Sequence, residues 1–277
     1  MKHKEDFFNG YDDTELYYQV WEPEAKPRAV IQIVHGLGEY STRYINVVNK
    51  IVPEGYIIYA SDLRGHGKSK GIRAYIKKFD DYIKDQDIFT KLIQKNHPDL
   101  PIFLLGHSMG SIISKIYVGR GETPFKGLIL SGAGTKIGGS TNAFLKAIAK
   151  LMSLLAPKAT ISPDIKGEDV SHDPEVIKNY DEDPLILKKI TVRLGAEMMK
   201  ANGIANKLTP NIKIPVLVQF GSEDTLILGG DELKDLFTVE DKTIIKYEGL
   251  RHEVYNELKE KREKVLQDLL DWLNKHV

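Results

Sequence analysis

Two hydrophobic rhythms alternate along the chain. Short continuous apolar runs bounded by glycine, proline or aspartate predict strands, and apolar residues recurring every three or four positions predict helices. DFFNGYDDTELYYQVWEP reads as two antiparallel strands around the Asp12–Asp13 turn, and RAVIQIVHG as a buried strand over Ala29–Val34. TRYINVVNKIVPEG predicts a helix and YIIYASDLRGHG a strand with its loop. FDDYIKDQDIFTKLIQKNHP predicts a helix with Phe79, Tyr82, Ile83, Phe89, Leu92 and Ile93 on one face. PIFLLG is a strand, and Met109, Ile112, Ile113, Ile116 and Tyr117 then follow at helical spacing, so a helix starts directly after Ser108. FKGLILSG is a further strand.

From about Gly134 to Leu194 the rhythm breaks. This stretch holds GTKIGGST, an apolar helix candidate NAFLKAIAKLMSLLAP, a loop rich in proline and aspartate, and the helical DPLILKKITVRLGAEMMKANG. So long a structureless loop is uncommon inside a compact domain, so a helical insertion over one end of a sheet is the better reading. The rhythm resumes with strand IPVLVQFG, helix GDELKDLF, strand TIIKYEG and a terminal helix from about Val254 to Lys275. Strands alternating with helices predict an α/β fold, a mostly parallel sheet covered on both faces. The expected division is a core over 1–134 and 196–277 with a helical cap over 135–195. In such sheets ligands bind beyond the carboxyl ends of the strands, so residues just after strands become the functional candidates.

Composition narrows the choice. The 39 basic and 39 acidic residues cancel, so no global field favours nucleic acid, and a small or neutral substrate is expected. There are no cysteines, which excludes disulfides and thiolate chemistry and fits a reducing, cytoplasmic setting. MKHKEDFFNGYDD carries charge with no apolar segment behind it, so no signal peptide is expected. No cluster has metal-ligand spacing, and neither a metal nor a cofactor is expected.

GHSMG, Gly106 to Gly110, places Ser108 between glycines at a strand-to-helix turn. Such a turn lifts the hydroxyl clear of the backbone, and the helix N-terminus aims its amides at any oxyanion formed beside it. A serine hydroxyl needs a base, and the base an orienting acid. Of eight histidines, His3 and His276 sit near the ends, where exposure is expected. His97 stands at a helix stop, His172 in the polar insertion, and His107 beside the serine with its ring directed elsewhere. His35 is followed by glycines, and His66 reads as a loop brace. His252 follows the last strand, at the carboxyl edge of the sheet, and is the candidate base. The acid comes from VQFGSEDTLI, where spacing leaves Glu223 and Asp224 both open. The oxyanion needs two amides: one is that of Met109, and the loop VHGLGEY supplies the other at Leu37, the residue after His-Gly.

HGLGEYSTRY, ASDLRGHGKSKG, GHSMGS, DEDPLILKKITVRLGAEM, GSEDTLI and GLRHEVYNE occur in that order over nearly the whole chain. In them the sequence resembles the monoacylglycerol lipase/lysophospholipase group of the α/β-hydrolase superfamily. The resemblance implies an α/β-hydrolase fold with a helical cap and a triad of Ser108, Asp224 and His252. It also implies oxyanion amides at Leu37 and Met109 and a lipid ester as substrate. It selects Asp224 over Glu223. In relatives the neighbouring Glu and Arg line the pocket for the polar alcohol head, which points to Glu39 and Arg43; a structural ion pair is the competing account. Ser111, Tyr40 and Thr42 depart from the common pattern, where Gly, His and Gly are usual. The cap helix carries Phe144, Ala147, Ile148, Leu151, Leu154 and Leu155, with Lys146 and Lys150 as its charges. Packing on the domain, lining an acyl tunnel through Phe144, Ile148 and Leu151, and transient contact with a membrane surface are its three readings. GTKIGGST is the expected hinge of the cap. The expected reaction is hydrolysis of monoacylglycerols through an acyl-enzyme. Lysophospholipase, carboxylesterase, a proline-iminopeptidase-type peptidase and a silent ligand-binding relative are the alternatives.

Overall fold

The computed structural model describes residues 1–121, 123–138 and 151–277. Eight strands form one sheet: β1 (Lys2–Asn9), β2 (Glu15–Glu22), β3 (Ala29–Val34), β4 (Tyr56–Ser61), β5 (Ile102–His107), β6 (Phe125–Ser131), β7 (Val216–Gly221) and β8 (Lys242–Tyr247). Their order across the sheet is β1-β2-β4-β3-β5-β6-β7-β8. The β1/β2 and β2/β4 pairs are antiparallel and the rest run parallel.

Every residue of β3, β4 and β5 is buried, the mark of central strands covered on both faces. Alternate residues face opposite layers. Ala29, Ile31 and Ile33 pack with helices α1 (Ile45–Ile51) and α6 (Lys259–His276). Val30 and Val34 pack on the other side with α2 (Asp80–Asn96), α3 (Met109–Gly119) and α5 (Val192–Leu208).

Between β6 and β7 the described chain holds helix α4 (Pro174–Glu182), a short helix at Gly167–Val170 and two-residue strands at Thr160–Ile161 and Ile190–Thr191. The expected boundary at 195/196 falls inside α5. The helix predicted from Asp183 begins only at Val192, because Ile190–Thr191 pairs as a strand and the Thr191 hydroxyl caps the Leu194 amide at 3.2 Å. The terminal helix likewise starts at Lys259, five residues later than its pattern, since Val254–Asn256 forms a 3₁₀ turn and Glu257 is extended.

The described part of GTKIGGST is an anchored strand instead of a free hinge. Lys136–Ile137 pairs with Ile227–Leu228, and the Thr135 and Gly138 amides donate to Leu228 and Leu226 at 3.0 and 2.7 Å. His276 is buried, not exposed, with Nδ1 2.6 Å from the Trp272 carbonyl and Nε2 3.1 Å from Asp241.

Candidate active site

At the carboxyl end of β5 the chain reverses sharply into α3, and Ser108 takes φ +52°, ψ −117°. Side chains rarely tolerate positive φ, so the turn is strained and held by its surroundings. A Cβ at Gly106 would lie 2.5 Å from the Gly110 carbonyl oxygen, and one at Gly110 would lie 2.0 Å from that of Val34. Both glycines are therefore demanded by close backbone approach. The Ser108 amide donates to Ser131 at 3.0 Å, and its carbonyl accepts the Ser111 amide at 2.9 Å and the Ser111 hydroxyl at 2.6 Å. Ser111, for which the sequence offers no account, thus pins the strained turn with a second donor.

His252 is buried in the loop after β8, and its Nδ1 lies 2.7 Å from Asp224 Oδ2 in the loop after β7. An ionised carboxylate only accepts, so the Nδ1 proton is donated to it and Nε2 is left free of that proton. The other oxygen, Asp224 Oδ1, accepts the Leu226 and Ile227 amides at 2.9 and 3.0 Å, which fixes the carboxylate's orientation. Burial pushes the Asp224 pKa up, but the His252 imidazole and the two amides outweigh it and hold the carboxyl below its ordinary value. For His252 burial pushes down, and the Asp224 carboxylate, helped by Glu253 and Glu39, outweighs it and raises the imidazole. Glu223 is half exposed and pairs instead with His172 Nε2 at 3.1 Å.

Ser108, His252, Leu37 and Met109 line one cavity of about 230 Å³. Met109 is the first residue of α3, so its amide has no acceptor within the helix. His107, expected to turn away, lines this cavity as well. Its ring centroid is 4.8 Å from that of His252, and its Nδ1 is 3.2 Å from Ser131 Oγ. Burial, then the neighbouring His252, push it down to about 3, so it stays neutral. His35 Nδ1 meets the Gly36 carbonyl at 2.8 Å while Nε2 accepts the Leu63 amide at 2.8 Å. That ring ties the HGLG loop to the loop carrying His66, whose Nδ1 meets the Arg64 carbonyl at 3.1 Å.

Glu39 lines the cavity, and its Oε1 accepts the Gly36 amide at 2.5 Å and the Tyr44 hydroxyl at 2.8 Å. Arg43 lies behind the cavity wall. Its guanidinium bridges Glu39 Oε2 at 3.4 Å and Glu253 Oε2 at 2.5 Å, and covers the Tyr180 ring at 5.2 Å. Glu253, which the sequence reading passed over, faces the cavity beside His252. The available signal was its place next to the candidate base just past a strand. Burial and the nearby Glu253 raise the Glu39 carboxyl above its ordinary value, whereas Arg43 holds Glu253 below its ordinary value against burial.

The unusual Tyr40 sends its hydroxyl to Asp183 of the insertion at 2.5 Å, and Thr42 accepts from Gln19 at 2.8 Å. Of the expected tunnel residues Phe144, Ile148 and Leu151, Leu151 is 55% exposed and does not line this cavity; Leu154 and Leu155, on the same apolar arc, are 65% and 73% exposed. The described apolar wall comes instead from Ile137, Ile165, Ile190, Met198 and Leu226. Phe144 and Ile148 lie outside the described residues.

A parallel-centred eight-stranded sheet, with a serine on the sharp turn after β5 and an acid and a histidine after β7 and β8, defines an α/β-hydrolase. The family profile described as serine aminopeptidase, S33 matches residues 25–259, and the chain belongs to this family. It is 32% identical to the monoacylglycerol lipase of Mycolicibacterium smegmatis, over 98% of this chain and 96% of that one. It is 31% identical to phospholipase YtpA of Bacillus subtilis, over 86% of this chain and 92% of that one. The crystal structure of Paleococcus ferrophilus monoacylglycerol lipase superposes with a TM-score of 0.84 at 29% identity, covering 95% of this chain and 99% of that one. Within the α/β-hydrolases the chain falls in the monoacylglycerol lipase group. Among the described residues, no helix is long and apolar enough to cross a membrane.

Proposed function

We propose that this protein is a serine hydrolase that splits monoacylglycerols into fatty acid and glycerol through an acyl-enzyme. The observation that carries the reading is the Asp224–His252 hydrogen bond, set at the cavity that the strained Ser108 also lines. The likeness to monoacylglycerol lipases supports the substrate class.

In the proposed mechanism His252 Nε2 takes the Ser108 proton as Oγ attacks the ester carbonyl. The carbonyl oxygen becomes an oxyanion between the Leu37 and Met109 amides, each worth ~2.7–4 kcal/mol of barrier. Asp224 keeps the imidazole in the right tautomer and stabilises its charged form. The tetrahedral species collapses, the C–O bond to glycerol breaks, and the leaving oxygen takes the proton from His252. Water then attacks the acyl carbonyl and gives its proton to His252. The second collapse breaks the Ser108–acyl bond, returns the proton to Oγ and frees the fatty acid.

The division into a core over 1–134 and 196–277 and a cap over 135–195 belongs to this proposal, as does a cytoplasmic setting. Exposed Leu151, Leu154 and Leu155 support transient contact of the cap with the membrane surface where the substrate resides. Likeness to phospholipase YtpA favours lysophospholipids as a second substrate class. A panel of p-nitrophenyl esters and monoacylglycerols of increasing chain length tests the reading. The expected outcome is efficient cleavage of long-chain monoacylglycerols. A maximum at acetate with no long-chain activity would leave a hydrolase but remove the lipase.

A further inference from the structure

The loop that carries His252 is held on both sides of the histidine. The amide of the next residue, Glu253, donates to the Val170 carbonyl of the insertion at 2.8 Å. The amide of the residue before, Arg251, donates to Glu257 Oε1 at 2.7 Å. That same oxygen lies 2.9 Å from Nδ1 of His172, in the insertion. Glu257 Oε2 accepts the His172 amide at 3.1 Å and the Leu258 amide at 3.3 Å. Glu257 is fully buried, and among the described residues His172 is the only side chain that donates to its carboxylate.

A buried carboxylate is costly unless donors meet its oxygens. Here the donors are three amides and one imidazole. Without the imidazole, Oε1 keeps only the Arg251 amide, and the loop from Arg251 to Glu257 loses its side-chain tie to the insertion. His172 also reaches the loop of the acid, with Nε2 3.1 Å from Oε2 of Glu223, the neighbour of Asp224. Ionised carboxylates only accept, so the ring meets both at once only with a proton on each nitrogen. The bond to Glu257 needs the Nδ1 proton alone. The neutral ring therefore keeps the buried Glu257 and gives up the half-exposed Glu223.

We propose that His172 is a positioning residue for the triad: by donating to Glu257 it seats the insertion on the loop of His252 and holds that imidazole against Asp224. The inference rests on the proposed function, in which this pair activates Ser108. His172 acts at one remove, since it does not line the cavity that Ser108 and His252 share.

The test follows cleavage of octanoylglycerol, below its micelle concentration, by the wild type, His172→Leu and His172→Asn, with folding checked by circular dichroism. Asparagine keeps a donor near the Nδ1 position and removes Nε2. In His172→Leu, kcat/KM should fall ~10- to 100-fold, and His172→Asn should recover most of that loss. The acid limb of the pH profile separates positioning from stability. His252 is faced by Asp224 from the β7 loop, Glu253 beside it, Glu39 from the β3 loop and neutral His107 from β5. Burial lowers it, and the carboxylates outweigh burial and set it above 6.5. A histidine that slips from Asp224 relaxes toward 6.5, so the limb of His172→Leu should move to lower pH. Loss of folded protein would lower the rate at every pH and leave the limb in place. Glu257→Gln, which removes one acceptor oxygen and keeps the volume, should move the limb the same way and serves if the leucine variant does not fold. An unchanged rate in His172→Leu, a fall with the limb unmoved, or no recovery in His172→Asn overturns the positioning role and leaves the hydrolase intact. A folded wild type that does not cleave octanoylglycerol overturns the proposed function and this inference with it.

Discussion

His252 sits where a lone buried imidazole would shed its proton, yet the carboxylates around it reverse that tendency. Its pKa is raised above the ordinary 6.5, so the neutral base is lost as pH falls through that raised value. The expected kcat/KM profile therefore climbs through a midpoint above 6.5 and is flat above it. Asp224→Asn removes the largest raising influence, so the limb should move to lower pH while turnover falls ~10⁴-fold. A limb that stays in place would show that His252 is not the titrating base. Lys115 offers a second titration, remote from the chemistry. It is fully buried in α3, with Nζ 3.1 Å from the Gly134 carbonyl and 3.4 Å from Asn206 Oδ1. Burial pushes it down to about 8 from 10.5. Between those values the unfolded chain keeps a proton that the folded chain has released, so folding stability rises with pH across that window. Urea unfolding at pH 7.5 and pH 10.5 should show a gain on the order of 2–3 kcal/mol in the wild type relative to Lys115→Met.

At the scale of the element, the β5–α3 turn is the feature on which the site depends. Gly110→Ala would press a methyl group into the Val34 carbonyl, 2.0 Å from the new carbon, and the backbone of the central strand has little room to yield. A loss of ~1–3 kcal/mol in unfolding free energy is expected, together with lost activity. A fully stable and active alanine variant would contradict the close packing of turn and strand. This turn, the strands around it and the order serine, acid, histidine were legible because each rests on a local pattern: an apolar run, a break, then a polar residue at the strand's carboxyl end. The start of α5 was not, because Thr191 caps it while its hydroxyl also reaches the Ala74 carbonyl at 2.7 Å, a contact 117 residues away in sequence. The role of Glu253 was hidden for the same reason. Its partner Arg43 is 210 residues distant, and no periodicity marks a buried charge. Leu151, Leu154 and Leu155 show the converse limit: their apolar spacing admitted packing, tunnel lining and membrane contact alike, and these three residues face solvent.

Across the whole molecule, the parallel sheet brings three loops, from β5, β7 and β8, to one edge, and the insertion between β6 and β7 supplies cavity wall above them. Residues far apart in the chain, Ser108, Asp224 and His252, thereby share one small site, while Tyr40–Asp183 and His172–Glu257 tie the insertion down onto the core at 2.5 and 2.9 Å. The central claim is that the serine held at that edge is the nucleophile for lipid esters. Its most direct test is release of fatty acid from a long-chain monoacylglycerol by the wild type and by Ser108→Ala, with folding of the variant checked by circular dichroism. The account predicts rapid release by the wild type and a fall of ~10⁴-fold or more in the folded variant. Unchanged release by a folded Ser108→Ala protein would contradict it.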